Sequence, residues 1–232
     1  RKRRIVHRWY GCHVDADPAF AITSDSVILA TGGARGITAD ICLELAERYQ
    51  PTFVLVGQSP LPSPVEDPSI ERLKAAGERV TPAAVERACQ RVLKEREIRG
   101  VMGQLAAAGS RIHYVAMDVR DDAAFATLID EVYDTYGRID GVVHGAGIIE
   151  DKLIKDKSAA SFDSVVATKV TSAFVLARQL RPEMLRFVVF FTSVAGRFGN
   201  RGQADYAVAN ETVSKLAVSF ATPARAADDQ LA

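Results

Sequence analysis

The sequence predicts an α/β fold: a doubly wound parallel sheet with helices on both faces and a helical insertion after strand two. Three observations carry this. Short apolar runs at 27–30, 53–56, 112–117, 142–144 and 187–192 alternate with longer stretches of helical period. Such alternation builds parallel sheets through crossover helices. The run Phe53-Val54-Leu55-Val56 is apolar at every position, as a strand covered on both faces requires. Finally, the first strand enters the glycine-rich turn Thr31-Gly32-Gly33-Ala34-Arg35-Gly36-Ile37, and a helical pattern follows at once.

Taken in order, residues 1–26 read as a lead-in arm or linker, with a basic run from Arg1 to Arg4 and an apolar clump at Ile5, Val6, Trp9 and Tyr10. The main domain spans 27–220. Its first helix carries Ile37, Ile41 and Leu45 at four-residue spacing, with Cys42 beside them as packing, and Pro51 stops it after Tyr49. Residues 59–68 hold Pro60, Pro62, Pro64 and Pro68 and form a loop. Thr81-Pro82 reads as N-cap and first helical position. The helix that follows puts Val85, Cys89, Val92 and Leu93 on one face and runs through Ile98, Val101, Met102 and Leu105 toward Gly109. Gly100 and Gly103 are places for it to break or bend. The excursion 58–110 is long for a crossover and reads as an insertion.

Strand three, 112–117, is closed by Asp118-Val119. A helix from Asp122 carries Phe125, Leu128, Ile129, Val132 and Tyr133, and Gly137 ends it. Strand four enters a second glycine turn at Gly145-Ala146-Gly147. The helix over 161–180 carries Phe162, Val165, Val166, Val170 and Phe174, and the last helix covers 203–220. Residues 221–232 are small and polar, and read as a disordered or truncated tail.

Composition excludes several classes. Lys+Arg and Asp+Glu both number 29, so no global field argues for nucleic acid or a membrane surface. Three cysteines, Cys12, Cys42 and Cys89, give neither a disulfide framework nor metal-ligand spacing, which fits a reducing, cytoplasmic setting. No apolar run is long enough to span a bilayer, and no signal peptide is present. The chain opens on Arg1, which reads as a piece of a larger protein.

The chemistry starts at the first turn. Glycines at 32, 33 and 36 let backbone N–H groups approach a pyrophosphate, and the helix behind them adds a partial positive charge. The spacing is Gly-x-x-x-Gly, which leaves open a turn without a ligand. A second group falls near the carboxyl edge of the sheet, where such folds bind ligands. Ser193 follows strand five, Tyr206 opens the last helix, Asn210 lies one turn on, and Lys169 sits on the preceding helix. A free tyrosine has a pKa of ~10, and an adjacent ammonium favours its phenolate. A serine hydroxyl can hold a carbonyl against such a tyrosine. Each residue also has a plain structural reading: a cap, a half-buried aromatic, a solvated lysine.

These stretches resemble the short-chain dehydrogenase/reductase superfamily, and more closely the ketoreductase domains of type I polyketide synthases and polyunsaturated fatty acid synthases. The matching residues are Thr31-Gly32-Gly33-Ala34-Arg35-Gly36-Ile37, Met117-Asp118-Val119, Val142-Val143-His144-Gly145-Ala146-Gly147, Lys169-Val170, Phe191-Thr192-Ser193-Val194-Ala195-Gly196 and Tyr206 with Asn210. Most of the superfamily has lysine four residues after the tyrosine. Here asparagine stands there and the earlier helix carries the lysine, as in the synthase enzymes. The inserted helix is similar to that of the polyunsaturated fatty acid and enediyne synthases.

The resemblance implies a Rossmann-type fold and an NADPH-dependent reduction of a 3-oxoacyl thioester held on an acyl carrier protein, beside neighbouring synthase domains and without a metal. Ser193 and Tyr206 would bind the ketone oxygen, with Tyr206 as proton donor. Lys169 would assist Tyr206 and hold the nicotinamide ribose, and Asn210 would orient the lysine and a relay water. The family's Gly-Arg-Ser after strand two is Gly57-Gln58-Ser59 here, which leaves Arg35 as the candidate for the adenosine 2′-phosphate. Asp151 matches the last aspartate of a stereocontrol motif and suggests a D-configured product. A non-catalytic module of the same fold and a free-standing reductase of a small ketone are the alternatives.

Overall fold

The computed structural model describes residues 21–61 and 81–228, with side-chain surroundings described as far as Val218. The sequence readings of the basic run, the apolar clump, Cys12 and most of the proline loop lie outside the described residues. The elements are β1 (Val27–Thr31), α1 (Gly36–Tyr49), β2 (Thr52–Gly57), α2 (Pro82–Ala107), β3 (Arg111–Ala116), α3 (Asp122–Tyr136), β4 (Gly141–His144), α4 (Ala159–Gln179), β5 (Phe187–Phe190), α5 (Val194–Phe198) and α6 (Ala204–Asp228).

The strands form one parallel sheet in the order β3-β2-β1-β4-β5. The chain therefore winds outward from β1 through β2 to β3, then returns to the other side of β1 for β4 and β5. That reversal opens a crevice at the carboxyl ends of β1 and β4. Period-two alternation then sorts β1 between the two faces. Val27 and Leu29 join Phe125, Ile129, Val132, Val175 and Leu176, the face under α3 and α4. Ile28 and Ala30 join Ala39, Cys42, Ala46, Val101 and Leu105, the face under α1 and α2. Cys42 packs as expected, and burial pushes its thiol up to about 12.

Local signals set several element ends. The Thr81 side chain accepts from Ala84 N–H at 3.2 Å, with Pro82 at the first helical position. Gly137 closes α3 at φ +73°, a conformation an L side chain resists. Elsewhere the structure departs from the sequence reading. Cys89 and Leu93 are exposed, and α2 docks instead through Ala84, Ala88, Ile98, Val101 and Leu105. Gly100 and Gly103 leave α2 unbroken. Phe174 is exposed. Residues 221–228, read as tail, continue α6 as helix.

Against the expectation of no spanning run, α4 is long and apolar enough by length and composition to cross a membrane. In this fold it is a core helix: it packs between α3 and α6 and buries Val165, Ala173, Val175 and Leu176.

Candidate active site

The crevice is a cleft of about 780 Å³. Its walls are the β1–α1 turn (Gly32, Arg35, Gly36, Ile37), the end of β2 (Gln58, Ser59), the turn after β3 (Asp118, Val119), the turn after β4 (Gly145, Ala146, Gly147), α4 (Lys169) and α6 (Tyr206). Most of the residues singled out from sequence thus face one space. Thr31 and Gly33 lie behind the wall, Ser193 follows the lining residues Phe191 and Thr192, and Asn210 is buried one turn behind Tyr206. Asp151 is off the wall; its carboxylate accepts from Gln203 Nε2 at 3.0 Å.

Close backbone approach shapes the floor. Gly32 has φ +73°, and a Cβ there would stand 3.2 Å from the Gly145 carbonyl. The two glycine turns therefore touch. Thr31 ties them further: its Oγ1 accepts from Ala146 N–H at 3.2 Å and bonds His144 Nδ1 at 2.8 Å. His144 Nε2 reaches the Lys169 carbonyl at 3.2 Å. One tautomer satisfies this chain: Thr31 donates to Nδ1 and the Nε2 proton goes to Lys169. Burial, and then the Lys169 charge, push His144 down to about 3, so it stays neutral. The sequence motif gives His144 no role; the structure makes it the strut between the end of β1 and α4.

Lys169 is 4% exposed. Its Nζ donates to the Phe191 carbonyl at 2.7 Å, two residues before Ser193. Burial pushes its ammonium down to about 8. Gly147 makes room for it, because a Cβ there would come within 3.2 Å of Lys169 Cε. Ser193 caps α5, accepting from Ala195 N–H at 3.1 Å, which leaves its hydroxyl proton free to donate. Asn210 Nδ2 donates to the Tyr206 carbonyl at 2.7 Å, while its Oδ1 is buried with no hydrogen-bond partner among the described residues. Lys215 pairs with Glu211 at 3.0 Å on the outside of α6 and does not line the cleft.

Ionic contacts rim the far end. Arg120 holds Asp118 at 2.9 Å, and that hydrogen bond keeps the carboxyl below its ordinary range. Gln58 reaches Asp118 only at 3.4 Å, and the Ser59 carbonyl accepts from Tyr114 at 2.6 Å. Arg35, expected to await a phosphate, instead donates to Glu97 of α2 at 2.6 Å. Glu97 was missed from sequence because nothing in its own helix marks a contact 62 residues away.

Comparison with known proteins gives this geometry a lineage. A family model described as "KR domain" matches residues 26–227. A polyunsaturated fatty acid synthase polypeptide from Thraustochytrium sp. is 33% identical over 223 residues, which is 88% of this chain and 8% of that protein. Polyketide synthase PksL of Bacillus subtilis is 30% identical over 212 residues, covering 90% of this chain and 4% of its own length. The chain thus spans under a tenth of these multidomain relatives. A solved ketoreductase domain from the bacillaene assembly line superposes with a TM-score of 0.67 at 28% identity, over 93% of this chain and 44% of that one. With its parallel sheet, its cleft and this match across most of its length, the chain belongs to the KR-domain family, oxidoreductases of the short-chain dehydrogenase/reductase fold.

Proposed function

We propose that the chain reduces the ketone of a 3-oxoacyl thioester, presented on an acyl carrier protein, to the 3-hydroxyacyl with NADPH. The carrying observation is Lys169: a buried ammonium that α4 delivers to the Phe191 carbonyl, in the cleft that Tyr206 also lines. A lone buried charge is costly to keep, so its retention argues for use. The donor set suits the nucleotide, since the α1 amide end and Arg35 already hold a carboxylate together. NADPH bound there supplies the hydride.

The chain's own residues do the rest. Ser193 and Tyr206 donate to the ketone oxygen and hold the carbonyl. As the carbonyl carbon gains the hydride, the Tyr206 hydroxyl proton passes to that oxygen and leaves an alcohol. Lys169 steadies the charge left on Tyr206 and would hold the nicotinamide ribose. The Asn210 Oδ1 is an acceptor kept for the relay water. Exposed Ile149 lines the cleft, and exposed Val194 and Phe198 follow Ser193; an acyl chain would cover such surface.

The test is single-turnover loss of NADPH absorbance with a carrier-bound 3-oxoacyl substrate and with its free thioester analogue. Tyr206→Phe is expected to lose reduction by about two to four orders of magnitude while NADPH binding stays measurable. Chiral chromatography of the wild-type product is expected to give the D alcohol, the outcome that Asp151 favours. Equal rates on both substrates would overturn the carrier-protein assignment.

A further inference from the structure

We propose that Glu97, on the helix inserted after β2, sets the nucleotide preference of this cleft by holding Arg35, the donor that would read an adenosine 2′-phosphate. The inference rests on the nucleotide reading above.

One carboxylate meets two donors of different kinds. Glu97 Oε2 accepts from Arg35 Nε at 2.6 Å, and Oε1 accepts from Gly36 N–H at 3.0 Å. The α1 terminus has no cap of its own. Its N-cap residue, Arg35, makes no side-chain cap bond, and its first turn holds no acidic residue. Glu97 supplies that cap from 61 residues away. Free amides and a guanidinium at a helix start form a ready anion site, and an anion is seated there. Partial burial alone would raise the Glu97 carboxyl, but the bonds from Arg35 and Gly36 outweigh it and hold it below its ordinary range.

The contact is built to exchange. Both side chains are about 40% exposed, so the pair is worth little against water. The helix beneath is fixed: the next residue, Ile98, is 1% exposed, and Leu105 is fully buried. Glu97 therefore leaves by turning its side chain, with α2 in place. Lys94 lies one turn earlier on the same helix and lines the same cleft.

These facts separate the two nucleotides. A 2′-phosphate and the Glu97 carboxylate are both anions and repel each other beside Arg35, so NADPH binds best once Glu97 has turned away and left Arg35 and Lys94 to the phosphate. A ribose 2′-hydroxyl can donate to the carboxylate while Glu97 keeps Arg35. Gln58, which lines the same cleft, adds no charge to either side. Glu97 thus narrows the preference for NADPH that Arg35 alone would give.

The experiment measures NADPH and NADH dissociation constants by the fluorescence of the bound nicotinamide, for wild type and Glu97→Gln, with thermal midpoints as a check on folding. The glutamine keeps the shape and removes the charge. Glu97→Gln is expected to tighten NADPH about two- to fivefold, the scale of one exposed ion pair. NADH is expected to stay level or weaken. Unchanged or weaker NADPH binding overturns the proposal, as does equal tightening of both nucleotides. A wild type that binds neither nucleotide overturns the reading of the cleft itself, which is a different result from a wild type that binds and a variant that does not differ.

Discussion

Lys169 is where a single side chain decides most. Buried amines shed their proton, and this one is pushed from 10.5 to about 8 by desolvation. Any role that needs its positive charge must fade as pH rises through about 8. Wild-type kcat/KM is therefore expected to fall above that pH, and Lys169→Ala is expected to lack that limb while losing about two to four orders of magnitude in turnover. Lys215, exposed and paired along its own helix, should tolerate alanine within a few-fold. The same burial has a stability sign. The folded value lies below the unfolded one, so the unfolded chain holds more protons between about 8 and 10.5, and stability rises with pH across that window. Relative to Lys169→Met, urea unfolding of the wild type should gain up to about 3 kcal/mol from the bottom of the window to its top. A flat difference would show that the ammonium is better solvated than its burial implies.

At the scale of elements, the segment after β4 is strapped to the start of α6. Lys157 and Asp205 form an ion pair at 2.6 Å with both side chains at most 2% exposed. Asp205 Oδ1 accepts from Tyr206 N–H at 2.9 Å, and Lys152 N–H donates to the Gly202 carbonyl at 3.0 Å. Tyr206 is thereby fixed from outside its own helix. Asp205→Asn leaves a buried ammonium unpaired and is expected to cost about 3–5 kcal/mol in thermal or chemical unfolding. The double variant Lys157→Met/Asp205→Leu should recover much of that loss in stability yet not the turnover, because the strap on Tyr206 is gone. A double variant no more stable than Asp205→Asn would refute the pairing as the cause. Capping residues made these elements legible in the sequence: Thr81-Pro82 and Gly137 state their ends in local chemistry. The docking face of α2 was not legible. Val85-Cys89-Val92 and Ala84-Ala88 fit the same period, and only the partner surface chooses between them.

For the whole molecule, the parallel sheet follows from the alternation of periods, and the cleft from the reversal of strand order at β1 and β4. The motif residues then fall together because all five strand ends open there. What the sequence hides is pairing at distance: Arg35 with Glu97, Lys157 with Asp205, His144 between Thr31 and Lys169. Propensity and spacing carry no record of such partners. The same dispersion makes a global test of the cleft. Its walls come from the ends of β1 through β5 and from α2, α4 and α6, so a nucleotide seated there would bind only the assembled fold. A ligand at a hundred times its dissociation constant adds about 2.7 kcal/mol to folding. In a domain of this size each kcal/mol moves the midpoint by about 2–4 °C, so NADPH is expected to raise Tm by about 5–10 °C and to keep raising it with the logarithm of its concentration. Glu97→Gln should show the larger rise at equal concentration, because no carboxylate charge beside Arg35 opposes the phosphate. A rise of the same size from ATP would reduce the effect to general anion binding, and the absence of any rise would remove the nucleotide from the cleft.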